Sequence, residues 1–224
     1  MDLRQRQAVR RVPLPGRLEA GRQVTILLTG FAPFDGAATN PSWQAASLAA
    51  ARRTDTVAVE LPCEFAAALP ALRAAILAHR PEVVVCAGLA GGREHVTPER
   101  VAINLIDARI PDNAGAQPID VPVVEGGPSA YFTTLPVKAA VAAIESAGLP
   151  AAVSYTAGTY VCNQVFYGLM HLIATEFPGL RGGFVHVPEE ARLPVDSTAR
   201  ALEIVADTAL TVPEDVATSA GTLN

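Results

Sequence analysis

Short, continuously apolar runs alternate along this chain with longer segments whose apolar positions recur every three or four residues. The first kind comprises Val24–Thr29, Val57–Leu61, Glu82–Ala87, Val101–Ile106, Ala152–Tyr155 and Gly183–Val187, and predicts strands. The second comprises Pro41–Arg52, Glu64–His79, Leu135–Ala147, Tyr160–Glu176 and Ser197–Leu210, and predicts helices. Strands that are apolar throughout suit a mostly parallel sheet covered on both faces. Their alternation with helices gives an α/β fold, a three-layer αβα sandwich around a twisted sheet. Helix starts carry their own signals. Asn40 is an N-cap candidate followed by Pro41, Thr134 stands ahead of Leu135 and Pro136, and Asp196 can cap the last helix. In such a sheet ligands bind beyond the carboxyl ends of the strands, so the segments after the strands are where chemistry is sought.

The 224 residues fit one domain with a sizeable core, and half of them are hydrophobic. No apolar run approaches the roughly 18 residues of a membrane span. Residues 1–22 hold six arginines and lack the apolar centre of a secretory signal. They read as a disordered or loosely ordered tail rather than a transit peptide, ahead of a single domain over 23–212 and a second tail over 213–224. With a net charge of −5 and no basic stripe beyond the first tail, nucleic acid is not an expected partner. The three cysteines, Cys63, Cys86 and Cys162, show no metal-ligand spacing and suit a reduced cytoplasmic protein. No metal or organic cofactor is implied. Cys86, inside an apolar run, reads as a small buried hydrophobe, and Cys63 as a bystander.

Five segments fall at strand ends. Thr29-Gly30-Phe31-Ala32-Pro33-Phe34 leads to Asn40-Pro41-Ser42 and lacks the lysine and glycine spacing of a phosphate loop. Its two phenylalanines either plug the core or line an apolar pocket. Gly88-Leu89-Ala90-Gly91-Gly92-Arg93 lets backbone approach a ligand, and Glu99 follows, either a solvated carboxylate or a group that orients an imidazole. Arg109 is either an ion-pair partner of Asp107 or Asp112 or a donor to developing negative charge. The long segment from Pro111 to Gly127 is a loop that covers something. Cys162 sits at the start of a helical segment, where free N–H groups favour a thiolate, and His186 ends a strand. A thiol, an imidazole and a carboxylate at three strand ends point to a Cys–His–Glu site. His79 reads as a capping residue and His171 lies mid-helix. His95 is the rival base.

These segments together resemble the pyroglutamyl peptidase I, or pyrrolidone-carboxylate peptidase, family. The match runs from about Val24 to the last helix. It rests on the Thr29–Phe34 loop with Asn40-Pro41-Ser42, on Gly88 through Asn104, and on Asp107-Ala108-Arg109-Ile110-Pro111-Asp112-Asn113. Tyr131, Thr134-Leu135-Pro136, Ser154 through Asn163 and Gly183-Phe184-Val185-His186-Val187-Pro188 complete it. The resemblance implies Cys162 as nucleophile, His186 as base and then acid, and Glu99 as the partner of the histidine; beside this triad Arg109 is the candidate for supporting the oxyanion. The resemblance also implies that Phe31, Phe34, Asn40 and Tyr160 border a pyroglutamyl pocket, with Leu89 of the glycine segment a further substrate-binding candidate. The implied activity is removal of an N-terminal pyroglutamyl residue from peptides, in the cytoplasm, by a homo-oligomer that is a tetramer in many members. The alternatives are a thiol amidase acting on another small lactam and a silent pyroglutamate-binding protein. The sequence departs from the family after Pro188, where Glu189-Glu190-Ala191-Arg192-Leu193-Pro194 stands.

Overall fold

A computed structural model describes residues 26–222; the arginine-rich segment 1–22 and Val24 lie outside the described residues. Four parallel strands form the centre: β1 (Ile26–Phe31), β2 (Thr56–Leu61), β3 (Val83–Leu89) and β7 (Arg181–Val187). A two-residue strand, β4 (Thr97–Pro98), adds antiparallel to β7 and completes the order β2-β1-β3-β7-β4. Every residue of β1 is buried. Alternate side chains divide between two cores. Leu27, Val84, Cys86 and Phe184 face α2 (Ala68–His79) and α4 (Val161–Thr175). Ile26, Leu28, Val83, Val85 and Val185 face α1 (Pro41–Ala51), α3 (Val137–Ser146) and α5 (Val195–Thr211). Burial on both faces is why these strands lack a polar alternation.

The loop from β1 to α1 is fixed by side-chain bonds. Asn40 Oδ1 accepts from the Ser42 N–H (3.0 Å) and the Ser42 hydroxyl (2.8 Å), and Asn40 Nδ2 donates to Ala32 O (3.2 Å). Asn40 therefore caps α1, as its type and place predict. The two other expected caps are corrected. Thr134 instead ties into β7, accepting from the Gly182 N–H (2.8 Å) and donating to Gly182 O (3.0 Å). Helix α5 begins after Pro194 with no side-chain cap, and Asp196 in its first turn pairs with Arg52.

Two predicted strands differ. The segment 101–106 gives only β5 (Val101–Ile103), which leaves the main sheet and pairs antiparallel with β6 (Ala130–Phe132). Asn163 of α4 captures the chain there: its Oδ1 accepts from the Ile103 N–H (3.1 Å), and its Nδ2 donates to Ile103 O and Leu105 O (2.9 Å each). The segment 152–155 forms no strand and touches its neighbour only through the bridges Val96↔Ala151 and Glu99↔Ser154. Pro98, with no N–H, cannot extend that pairing into a ladder.

The long loop between β5 and β6 is built around buried Asp112, whose carboxylate accepts from the N–H groups of Phe65 (2.8 Å), Ala114 (2.9 Å) and Ala116 (2.8 Å). Next to it, Asn113 N–H donates to Cys63 O (3.1 Å) and Asn113 Nδ2 to Pro33 O (2.9 Å). One loop thus holds the segments that follow β1 and β2. Residues 213–222 return over α3, where Asp215 accepts from the N–H groups of Lys138 (3.1 Å) and Ala139 (3.0 Å).

Candidate active site

Parallel strands with their carboxyl ends in register bring Phe31, Leu89 and His186 to one edge of the sheet. There a pocket of about 150 Å³ opens. Phe31 and Phe34 line it together with Leu89 and Tyr160, and Asn40 also reaches it. The remaining walls are Cys63, Ala157, Cys162 and His186. The two phenylalanines do both things their sequence allows: Phe31 belongs to the core at 2 % exposure, and both rings also face the pocket. Phe34 and Phe65 each pack against the Tyr160 ring (centroids 6.5 and 5.2 Å), whose hydroxyl donates to Pro111 O (3.0 Å).

Cys162 is the second residue of α4. The first bond of this helix runs from the Gln164 N–H to Tyr160 O (3.1 Å), and Tyr160 gives no side-chain cap. The earlier N–H groups, that of Cys162 included, therefore have no acceptor within the helix. The sulfur lies against Gly88, whose register partner is His186; a Cβ at position 88 would come within 2.8 Å of Cys162 Sγ and of the Phe184 ring. Glycine is required here by close approach, not by backbone angle. Burial pushes the Cys162 thiol well above its ordinary value; Cys63 and Glu99 add to the rise, while Arg93 opposes it.

His186 is 4 % exposed, and its Nδ1 lies 2.7 Å from Glu99 Oε1, which leaves Nε2 for the pocket. Burial lowers its pKa from the ordinary 6.5, against the opposing hydrogen bond and charge of Glu99; the cation of Arg93 adds to the lowering. Both shifts favour the neutral thiol and the neutral imidazole, against the thiolate expected from the helix start alone.

Glu99 is fully buried, which corrects the reading of it as a solvated carboxylate. Its N–H donates to Phe184 O (2.8 Å), continuing the β4–β7 pairing and bringing the side chain beside His186. Oε1 accepts from both His186 and Arg93 Nη1 (2.7 Å each), and Oε2 has no partner among the described residues. Arg93 also donates to Thr97 Oγ1 and to Thr156 O (2.9 Å).

Arg109 is exposed and pairs with neither Asp107 nor Asp112, since the Asp112 carboxylate is taken by backbone donors. Its loop is nevertheless tied to the approach to α4, with Asp107 N–H donating to Thr159 O (3.0 Å). Two residues here escaped the sequence reading. Cys63, read as a bystander, is a wall of the pocket, where burial pushes its thiol up to about 11. Arg93 ends the glycine segment, and its partners Thr97 and Glu99 lie close in sequence while Thr156 lies 63 residues on. The strand-end rule would have found Cys63, two residues beyond β2. Of the other histidines, His95 is exposed and is not among the walls of the pocket, and His79 caps nothing, the end of α2 being Arg80 in the left-handed region. His171 Nδ1 meets the Tyr131 hydroxyl (3.0 Å).

A larger hollow of about 490 Å³ lies beside Arg80, Phe177 and Leu180, without a thiol or imidazole. Among the described residues no cluster of His, Cys, Asp and Glu could hold a metal ion, and no helix is long and apolar enough to cross a membrane.

Thiol, imidazole and carboxylate around an apolar pocket at the carboxyl edge of a parallel sheet are the equipment of a thiol hydrolase. The family model for pyroglutamyl peptidase matches residues 24–220, and the chain belongs to this family. It is 65% identical over 180 residues to the pyrrolidone-carboxylate peptidase of Streptomyces coelicolor, covering 79% of this chain and 83% of that protein. It is 50% identical over 211 residues to that of Bacillus subtilis, covering 89% and 98%. The crystal structure of Bacillus amyloliquefaciens pyroglutamyl peptidase I superimposes with a TM-score of 0.83 at 46% identity, covering 86% of this chain and all of that one. The expected α/β sandwich with its mostly parallel sheet agrees with these structures.

Proposed function

We propose that this chain hydrolyses the amide bond after an N-terminal pyroglutamyl residue, with Cys162 as nucleophile, His186 as base and then acid, and Glu99 as the partner of the histidine. The observation that carries this reading is the junction of the Glu99–His186 pair and Cys162 at one apolar pocket. A pyroglutamyl ring is a neutral lactam and needs flat apolar walls and a few polar contacts. Phe31, Phe34, Leu89 and Tyr160 supply the walls. Asn40 supplies a polar contact through its remaining amide hydrogen, its oxygen being engaged in the α1 cap and its other amide hydrogen donated to Ala32 O.

His186 Nε2 takes the Cys162 proton as the sulfur attacks the pyroglutamyl carbonyl carbon. The charge that develops on the carbonyl oxygen is met by the Cys162 N–H, and Arg109 is the proposed second donor, each worth about 3 kcal/mol. The imidazolium, stabilised by Glu99, protonates the leaving amine as the C–N bond breaks. His186 then takes a proton from water, the hydroxide cleaves the thioester, and pyroglutamate leaves as Cys162 regains its proton. Three unpaired cysteines support a cytoplasmic setting, and the homo-oligomer is proposed from the family resemblance.

The test is release of a fluorogenic amine from its pyroglutamyl derivative. The wild-type chain is expected to turn over and to be inactivated by iodoacetamide. Cys162→Ala should lose essentially all release, by at least about 10⁴-fold. A fully active Cys162→Ala would overturn the assignment, and a wild-type preference for another lactam would move it to a different amide.

A further inference from the structure

Glu99 is fully buried, yet its two cationic or protic partners both converge on one oxygen, Oε1: His186 Nδ1 and Arg93 Nη1, each at 2.7 Å. A buried carboxylate with a single neutral donor would leave most of its desolvation uncompensated. The guanidinium supplies the missing countercharge. Arg93 is itself fixed by two further bonds, from Nη2 to Thr156 O (2.9 Å) and from the same Nη1 to Thr97 Oγ1. Those two anchors lie in the segments that carry Ala157, a wall of the pocket, and Glu99 itself. A lysine could replace the charge but not this fork.

We propose that Arg93 is a positioning residue for the hydrolysis, setting both the place and the charge balance of the Glu99–His186 pair. The inference rests on the function proposed above and assigns a role to a side chain that does not line the pocket.

The sign follows from the groups that face the pair. Arg93 comes from the loop after β3, Cys162 from α4, and Cys63 faces the same pocket from the loop after β2. Arg100, next to Glu99, turns towards Asp215 (3.9 Å), and Glu189, two residues beyond β7, lies over Gly91. Of these, only Arg93 places a full positive charge on the carboxylate. Its removal frees the His186 imidazole to take up a proton at higher pH, so the neutral base is lost earlier as pH falls.

The experiment compares wild type, Arg93→Gln and Arg93→Lys in two readouts across pH: turnover of the pyroglutamyl amide, and the rate of Cys162 alkylation by iodoacetamide. Arg93→Gln should lose kcat on the order of 100-fold with KM within about threefold, and its acid limb should move up by roughly one pH unit in both readouts. Arg93→Lys should keep the wild-type limb and lose less than about tenfold in kcat. A rate loss in Arg93→Gln with an unmoved limb would reduce Arg93 to a scaffold residue and overturn the proposal, as would wild-type kcat. If Arg93→Gln does not fold, a limb in Arg93→Lys displaced by a full unit overturns it instead. Alkylation needs no substrate. A wild-type chain that fails to cleave the amide therefore defeats the proposed function, while the alkylation profile still decides the role of Arg93.

Discussion

His186 is pulled in two directions, by burial towards the neutral form and by Glu99 towards the charged one, and burial is the larger. The consequence for pH has a definite sign. In the unfolded chain the imidazole titrates at its ordinary 6.5, and in the folded chain below it. Between the two values the unfolded state binds more protons, so the contribution of His186 is intact above pH 6.5 and is lost as pH falls through the folded value. Activity needs the same neutral imidazole. Thermal melts and kcat/KM measured from pH 4 to 8 should both decline on the acid side, with the kinetic limb below 6.5. A kinetic limb above 6.5 would mean that Glu99 outweighs burial. Single residues were unevenly legible in the sequence. The strand end that carries His186 and the helix start that carries Cys162 follow from apolar runs and their boundaries, which periodicity reports. The burial of Glu99 does not, because a carboxylate ahead of an apolar run looks like any solvated one until β4 and β7 pair. Arg93 was hidden too: Thr97 and Glu99 are near it in sequence, but their grouping with Thr156 and His186 exists only once separate segments close together.

Among the elements, α3 shows how a helix can be completed from outside its own neighbourhood. It starts after Pro136 with no side-chain cap, and its first N–H groups are met by Asp215, some seventy-seven positions further along the chain. Both carboxylate oxygens of Asp215 accept from Lys138, and one also accepts from Ala139. Asp215→Ala should therefore behave like the loss of an N-cap, costing about 1 kcal/mol. For a domain of this size that is a fall in Tm of roughly 2–4 °C, read by calorimetry, with turnover of the pyroglutamyl amide unchanged. An unaltered Tm would show that water satisfies these donors equally well. No sequence rule links Asp215 to α3, and the local candidate, Thr134, is instead committed to β7. Helix α1 is the opposite case. Asn40 and Pro41 are local signals, their partner Ser42 is two residues from the cap, and the predicted start is the observed one. Strand β5 was readable as part of an apolar run, whereas β6 and the pairing of the two were not, since the chain there is held by the amide of Asn163 in another element.

At the scale of the molecule, two cores on opposite faces of one sheet leave its carboxyl edge as the place where side chains from β1, β3, β7 and α4 converge without filling the space. The three-layer arrangement was readable in the alternation of apolar runs and helical segments, because that alternation is itself the physical cause of the layering. The arrangement also sets what can enter. Among the described residues no Asp, Glu, Lys or Arg lines the pocket. The nearest carboxylate, Glu99, stands behind His186 and is already engaged by the imidazole and by Arg93. A substrate with a free N-terminal ammonium would have to give up its hydration without gaining a countercharge, which costs several kcal/mol. Each 1.4 kcal/mol is a factor of ten, so the glutaminyl and prolyl amides should be cleaved with kcat/KM lower than the pyroglutamyl amide by at least about 100-fold. The prolyl amide is the sharper comparison, because it keeps a five-membered ring and differs in charge and in the ring carbonyl. If it were cleaved within tenfold of the pyroglutamyl amide, the apolar walls would be selecting ring shape alone and neutrality would play no part. If it is rejected while the glutaminyl amide is rejected equally, the exclusion of charge is sufficient to account for the choice of a lactam.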